Sequence, residues 1–170
     1  MSDDPAQQLE ELHPASFGWA LACCRWDREE AEEVLQTTYL KVLDGRARFA
    51  DRSSFRTWLF AVIHRTAAER RRGQWFRLLA TTRWLNGRVR EAPAPSPEAL
   101  AGDSEDALAL RQALRELPAR QREVLHLVFY QDLTVEAAAR VLGISAGSAR
   151  THYHRGKETL RGTLAFRGRQ

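Results

Sequence analysis

The sequence predicts an all-α protein of two small helical domains joined by a flexible linker. Three observations carry this. Ala, Leu, Glu and Arg dominate, all good helix formers, whereas Ile is rare and runs of β-branched residues are absent. Apolar residues recur at spacings of three and four, the period of a helix with one buried face. Between two such patterned halves lies EAPAPSPEALAGDSED, rich in Pro, Ala and acid, which is a linker composition. A chain of 170 residues accommodates two small domains, and a hydrophobic content of 44% suffices for packed cores.

The first half contains three predicted helices. One runs from about Pro14 to Cys24 and offers Phe17, Leu21 and Cys24 for packing. A second covers Glu29 to Leu43, with Ala31, Val34, Leu35, Tyr39, Val42 and Leu43 as its apolar stripe. Its first turns hold Glu29, Glu30, Glu32 and Glu33, where the helix dipole favours anions, and Gly45 ends it. After a polar loop, Arg46 to Ser53, Ser54 is placed to cap a third helix reaching about Arg72. Phe55, Leu59, Val62 and Ile63 line one side of it, and Arg56, Arg65, Arg70, Arg71 and Arg72 are assigned to the other. The expected divisions are a first domain at 1–72, a linker at 73–104 and a second domain at 105–166. A hairpin at Asn86-Gly87 is disfavoured, because too few alternating residues flank it.

Helical patterning resumes near Glu105, with Ala107, Leu110, Leu114 and Leu117 leading to Pro118. A helix from Pro118 carries Val124, Leu125, Leu127, Val128 and Phe129. Thr134 then caps a short helix, Val135 to Leu142, which stops at Gly143, and Ser145 caps another, Ala146 to about Arg161. Helix, tight Gly-containing turn, helix is the helix-turn-helix pattern, whose second helix enters a major groove. Ala137, Ala138 and Ala139 permit close approach of the two helices, Gly143 the left-handed turn, and Ile144 the apolar plug. Ser148, Arg150, Thr151, His152 and His154 are then able to reach bases or phosphates. Arg155, Lys157 and Arg161 look like phosphate contacts, and Ser145 with its free amides can hold a phosphate.

Charge alternates along the chain. Residues 1–44 carry 3 basic and 10 acidic groups, and residues 45–90 carry 12 and 2. Residues 91–139 carry 4 and 9, and residues 140–170 carry 7 and 1. Two basic blocks separated by acidic ones suggest two surfaces that meet polyanion and two that do not. All basic groups but Lys41 and Lys157 are Arg, whose fork suits phosphates and guanine edges. The polar start MSDDPAQQLEEL does not read as a signal peptide, and no apolar run approaches a membrane span, so a cytoplasmic chain without membrane insertion is expected. Adjacent Cys23 and Cys24 fit a core rather than a disulfide framework, a zinc site or a redox sensor. His152 and His154, two residues apart on a helix, point to different faces and do not suit a metal. No catalytic arrangement or Gly-rich phosphate loop occurs, so no enzymatic activity, cofactor or metal is expected. Trp58 fits either a core or a base-stacking role, and His13, His64 and His126 read as solvated or packed.

Two blocks now bear a family likeness. Leu117 to Arg161, LPARQREVLHLVFYQDLTVEAAARVLGISAGSARTHYHRGKETLR, resembles region 4 of bacterial sigma factors. Ala31 to Arg72, AEEVLQTTYLKVLDGRARFADRSSFRTWLFAVIHRTAAERRR, resembles their region 2. With only a linker between them, the layout resembles the extracytoplasmic-function (ECF) group of the sigma-70 family. The resemblance implies a factor that binds bacterial core RNA polymerase and directs it to promoter DNA. It implies polymerase docking by Asp27, Glu29, Glu30, Glu32, Glu33, Gln36 and Asp44. It implies contacts to a single-stranded −10 element by Arg48, Arg52, Ser53, Ser54, Arg56, Trp58, Arg65, Arg70, Arg71 and Arg72. It implies reading of a −35 duplex by Ser145, Ser148, Arg150, Thr151, His152, His154, Arg155 and Lys157. It further implies an anti-sigma partner and association with the nucleoid.

Several positions depart from the family pattern. Thr37 stands where an acid is usual, Arg65 where an Asn is usual, and Ser148-Ala149 where Thr-Val is usual. The loop 50–54 is short, and the stretch 74–90 is basic and Trp-rich. A free-standing helix-turn-helix regulator and a sigma-like decoy for an anti-sigma protein are the competing readings. The acidic helix from Asp27 to Asp44 argues against the first, because a plain repressor needs no such docking face.

Overall fold

The computed structural model describes residues 4–84 and 105–167, among which there are eight helices and no strand. They fall into two compact units, within Met1–Ser96 and Pro97–Gln170. The hairpin considered at Asn86-Gly87 and most of the expected linker lie outside the described residues.

The first unit contains α1 (Pro5–Glu11), α2 (His13–Cys23), α3 (Arg28–Leu43) and α4 (Phe55–Trp84). Helix α1 adds to the three expected. The Asp4 carboxylate accepts from the Ala6 amide at 2.9 Å, Pro5 opens the helix, and Leu9 is buried. Helix α3 begins at Asp27, whose Oδ1 accepts from the Glu30 amide at 3.0 Å, and gives way to Gly45 at φ +70°. Ser54 Oγ accepts from the Thr57 amide at 3.2 Å and starts α4. That helix continues past the expected end at Arg72 to Trp84, absorbing the first part of the stretch read as linker. The lone Gly73 costs about 1 kcal/mol relative to Ala, too little to stop a run of Arg, Gln and Leu.

Helices α2, α3 and α4 pack on one another around fully buried Trp19. Its Nε1–H donates to the Phe60 carbonyl at 3.0 Å, which satisfies the one polar atom of that side chain. Ala31, Val34, Leu35, Leu59, Phe60 and Ile63 close the core.

The second unit contains α5 (Glu105–Glu116), α6 (Ala119–Phe129), α7 (Val135–Leu142) and α8 (Ala146–Arg167), with α5, α6 and α7 all packed on α8. Thr134 Oγ1 accepts from the Ala137 amide at 3.1 Å, and Gly143 at φ +64° ends α7 in the left-handed conformation. Ser145 Oγ accepts from the Ser148 amide at 3.0 Å and opens α8. Ala137, Ala138, Ala139 and Ala149 are buried where α7 meets α8, and Ile144 is half-buried between them. One glycine is required by packing. A Cβ on Gly156 would lie 2.9 Å from Leu125 Cδ1 and 3.3 Å from Gln121 Cβ, so its absence lets α8 approach α6. Helix α8 extends to Arg167, beyond the expected Arg161.

Candidate protein and nucleic-acid interfaces

Helix α3 presents one long outward stripe. Glu29, Glu32, Glu33 and Gln36 are exposed along its first half, and Leu40 and Leu43 are 55% and 57% exposed along its second. The spacing 29, 33, 36, 40, 43 is that of a single helical face. Leu43, assigned to the buried stripe by sequence, thus lies on the surface, and Leu40 was not assigned at all. The same three-and-four spacing, read from the acidic residues rather than the apolar ones, identifies both. Asp27 and Asp44 flank the stripe as caps, and Glu30 is half-buried. An apolar centre beside charged residues is the make-up of a protein interface.

Part of this acid is engaged within the unit. Glu32 accepts from Arg28 at 3.0 Å, Glu33 pairs with Arg70 of α4, and Asp44 pairs with Arg46 at 2.8 Å. Lys41 reaches across to Glu69 at 2.6 Å and Thr66 at 3.2 Å. Cys23 and Cys24, at the end of α2, are buried thiols outside any disulfide. Burial foremost, with Glu30 nearby, raises Cys24 to about 12, so it stays protonated and unreactive.

The arginines of α4 divide between two faces. Trp58, Arg65 and Arg72, seven apart, lie on the outward side, with Arg65 and Arg72 exposed. Arg56 and Arg70 share the seven-residue row of buried Ile63 instead. Arg56 sits over the Phe60 ring at 5.4 Å, and Arg70 serves Glu33. These two were expected beside Arg65 and Arg72, and the fold turns them inward. Arg71 is half-buried between the two faces. The outward face continues to Trp75 and Phe76, which are 60% and 68% exposed.

At the start of α4, Trp58 occupies neither a core nor an open surface. It forms a half-buried cluster with Phe49 and Phe55, at centroid distances of 5.4 Å and 5.2 Å. The loop beside it carries exposed Arg48, Arg52 and Ser54 with half-buried Ser53. Arg48 donates to the Gly45 carbonyl at 3.3 Å, and Asp51 adopts a positive φ of 51°. Aromatic rings ringed by arginine suit stacked bases and their phosphates. Phe49 and Phe55 were not assigned to the site by sequence; the three-residue step from Phe55 to Trp58 along α4 is a signal for Phe55, whereas Phe49 joins them only through the fold of the loop.

Helix α8 sorts its side chains similarly. Ala149 and Gly156 face inward, and Tyr153 stacks on Phe129 at 5.9 Å. Ser148, Thr151, His154 and Arg155 are exposed on the other side. His152 is half-buried, apart from them, and Lys157 lies over the Tyr153 ring at 4.9 Å. Arg150 is exposed on a flank and donates to Glu136 of α7 at 2.7 Å. Thr151 Oγ1 donates back to the Gly147 carbonyl at 3.1 Å, and Ser145 Oγ donates to Ser148 Oγ at 2.9 Å. A short polar face with an N-terminal cap is what a major groove admits.

Among the described residues no helix is long and apolar enough to cross a membrane, and no group of three metal-ligating side chains occurs. His126 is packed rather than solvated, 3.3 Å from the Gln131 amide nitrogen, and burial lowers it to about 4.

Comparison with known proteins matches residues 9–77 to the family model for sigma-70 region 2 and residues 107–160 to that for sigma-70 region 4. The chain is 32% identical over 143 residues to the ECF RNA polymerase sigma factor SigX of Bacillus subtilis, covering 79% of this chain and 71% of that one. It is 30% identical over 137 residues to the RNA polymerase sigma factor CarQ of Myxococcus xanthus, covering 79% and 74%. In fold it is similar to the sigma factor RpoE of Bartonella quintana, solved with the anti-sigma factor NepR. The TM-score is 0.72 at 24% identity, over 96% of this chain and 98% of that one. It is also similar to CnrH, solved with the cytosolic domain of CnrY, with a TM-score of 0.60 at 20% identity, over 94% and 86%.

Proposed function

The chain belongs to the ECF sigma factors of the sigma-70 family, which direct transcription initiation, and from that membership we propose how its surfaces divide the work. The α3 stripe docks on core RNA polymerase. The loop 46–54, the Phe49–Phe55–Trp58 cluster and the outward row Trp58, Arg65, Arg72 take the −10 strand. The outward face of α8 reads the −35 duplex. The observation that carries this reading is the segregation of chemistry by helical face: acid leading into leucine on α3, arginine and aromatic on α4, and small polar groups with His and Arg on α8.

The energetics require this division. Promoter opening unstacks bases, at a cost of a few kcal/mol per flipped base. Stacking recovers about 1–3 kcal/mol per base, so an aromatic cluster with nearby cations offsets the cost on one strand only. Duplex reading needs no melting, only a helix in the groove. Two modest contacts on one chain reinforce each other through effective concentration.

The chain itself catalyses nothing in this scheme; RNA synthesis belongs to the polymerase, and the site of action is the cytoplasm, at the nucleoid. One solved fold neighbour, RpoE, is in complex with the anti-sigma factor NepR, and we extend such a partner to this chain. The test is reconstitution of the full-length chain with core polymerase. Leu40→Asp with Leu43→Asp should reduce core affinity at least tenfold while the unit stays folded, with at most a small drop in thermal stability, because both side chains are exposed. Unchanged core affinity would remove the docking assignment.

A further inference from the structure

Glu136 is misplaced for a surface that meets a polyanion. It is the second residue of α7, exposed, and its Oε1 accepts from Arg150 Nη2 of α8 at 2.7 Å, across the turn between the two helices. Side-chain exposures of 47% and 59% make this a surface pair, of little use to stability. A carboxylate there also repels phosphate. Its own backbone amide first, and Arg150 second, hold Glu136 below the usual carboxylate range, so the charge persists at neutral pH. What the contact does is restrict the arginine. A free Arg side chain loses substantial rotamer entropy on binding, and a planar fork already held at one edge loses less. The donors not used by Glu136 remain for the paired acceptors O6 and N7 of a guanine.

We propose that Glu136 is a specificity-determining positioning residue, holding Arg150 for a guanine of the −35 duplex and away from phosphate. This rests on the reading of α8 as the −35 helix. Two effects follow from one carboxylate. Removing it frees Arg150 to settle on the backbone, and it lifts a repulsion felt by every DNA sequence. Glu136 therefore trades total affinity for discrimination, the opposite of what a scaffold residue does.

The test uses the full-length chain with core polymerase and promoter DNA randomised across the −35 segment. The wild-type complex should enrich guanine at one position. Arg150→Ala should erase that preference. Glu136→Gln should lower it about tenfold, within the range for one bidentate contact, with retention of the unselected pool equal or higher. The double variant should match Arg150→Ala. A wild-type preference surviving in Glu136→Gln overturns the inference alone. Equal weakening of every sequence by Glu136→Gln makes the residue merely structural and also overturns it. A wild-type complex with no −35 preference at all would take down the reading of α8, and this inference with it.

Discussion

The two units reach a packed interior by opposite means. The first is built around bulk: Trp19 is fully buried against Phe60, with its indole hydrogen bond satisfied. The second is built around near approach: Gly156 lies against Leu125, and four buried alanines join α7 to α8. The difference bears on their proposed tasks. A large aromatic core anchors a 30-residue helix whose outer face is free for arginine and aromatic side chains. Small residues draw α8 down onto α6 and α7, leaving its exposed polar face shallow enough for a groove.

Substitutions probe that contrast from its strongest point downward. Trp19→Ala should cost the first unit about 3–5 kcal/mol, because it opens a large cavity and removes the indole hydrogen bond to the Phe60 carbonyl. Chemical denaturation checks this, and a loss under 1 kcal/mol would deny Trp19 its central place. Acid should act next, on the second unit. His126 titrates at about 4 when folded and near 6.5 when unfolded. Below pH 6.5 the unfolded state binds a proton that the folded state refuses. Stability is therefore full above pH 6.5, falls on acidification and levels off below about pH 4, for a loss of about 3 kcal/mol. Thermal melts followed through NMR amide signals of α6–α8 measure it, and His126→Gln should flatten the profile over that range. Gly156→Ala should cost about 1–3 kcal/mol by forcing α8 away from Leu125 and Gln121. An unchanged melting temperature would show that the approach is not tight. Ser145→Ala and Thr134→Ala should each cost about 1 kcal/mol through lost caps, measurable by the same melts.

Much of this architecture was legible in the sequence because local rules suffice for it. Thr134, Gly143 and Ser145 mark the helix-turn-helix by capping chemistry, which needs no knowledge of partners. Ser54 marks the start of α4 for the same reason, whereas the Asp27 cap, two residues before the expected start of α3 at Glu29, was not read from the sequence. What escaped depends on contacts between elements. Nothing near Arg70 in sequence announces that Glu33, thirty-seven positions earlier, turns it inward. Arg56 reads as surface until Phe60 is seen beneath it. Gly156 looks like a helix weakness until Leu125 is placed beside it. Leu43 satisfies the apolar period of α3 yet emerges on the exposed face, because a period identifies a stripe and not its edge. Helix α4 runs past the expected end near Arg72 because the basic, Trp-rich stretch that follows, though it breaks the earlier apolar pattern, still contains good helix formers.

The central claim is that one chain carries two promoter-reading surfaces and a polymerase-docking face. Transcript mapping tests it most directly, using holoenzyme reconstituted from the full-length chain and a library of randomised promoters. The account predicts start sites that follow a paired −35 and −10 motif at fixed separation, with Arg150→Ala altering only the first motif and Arg65→Ala only the second. Transcripts whose starts depend on neither motif, or a holoenzyme that starts no RNA, would contradict it.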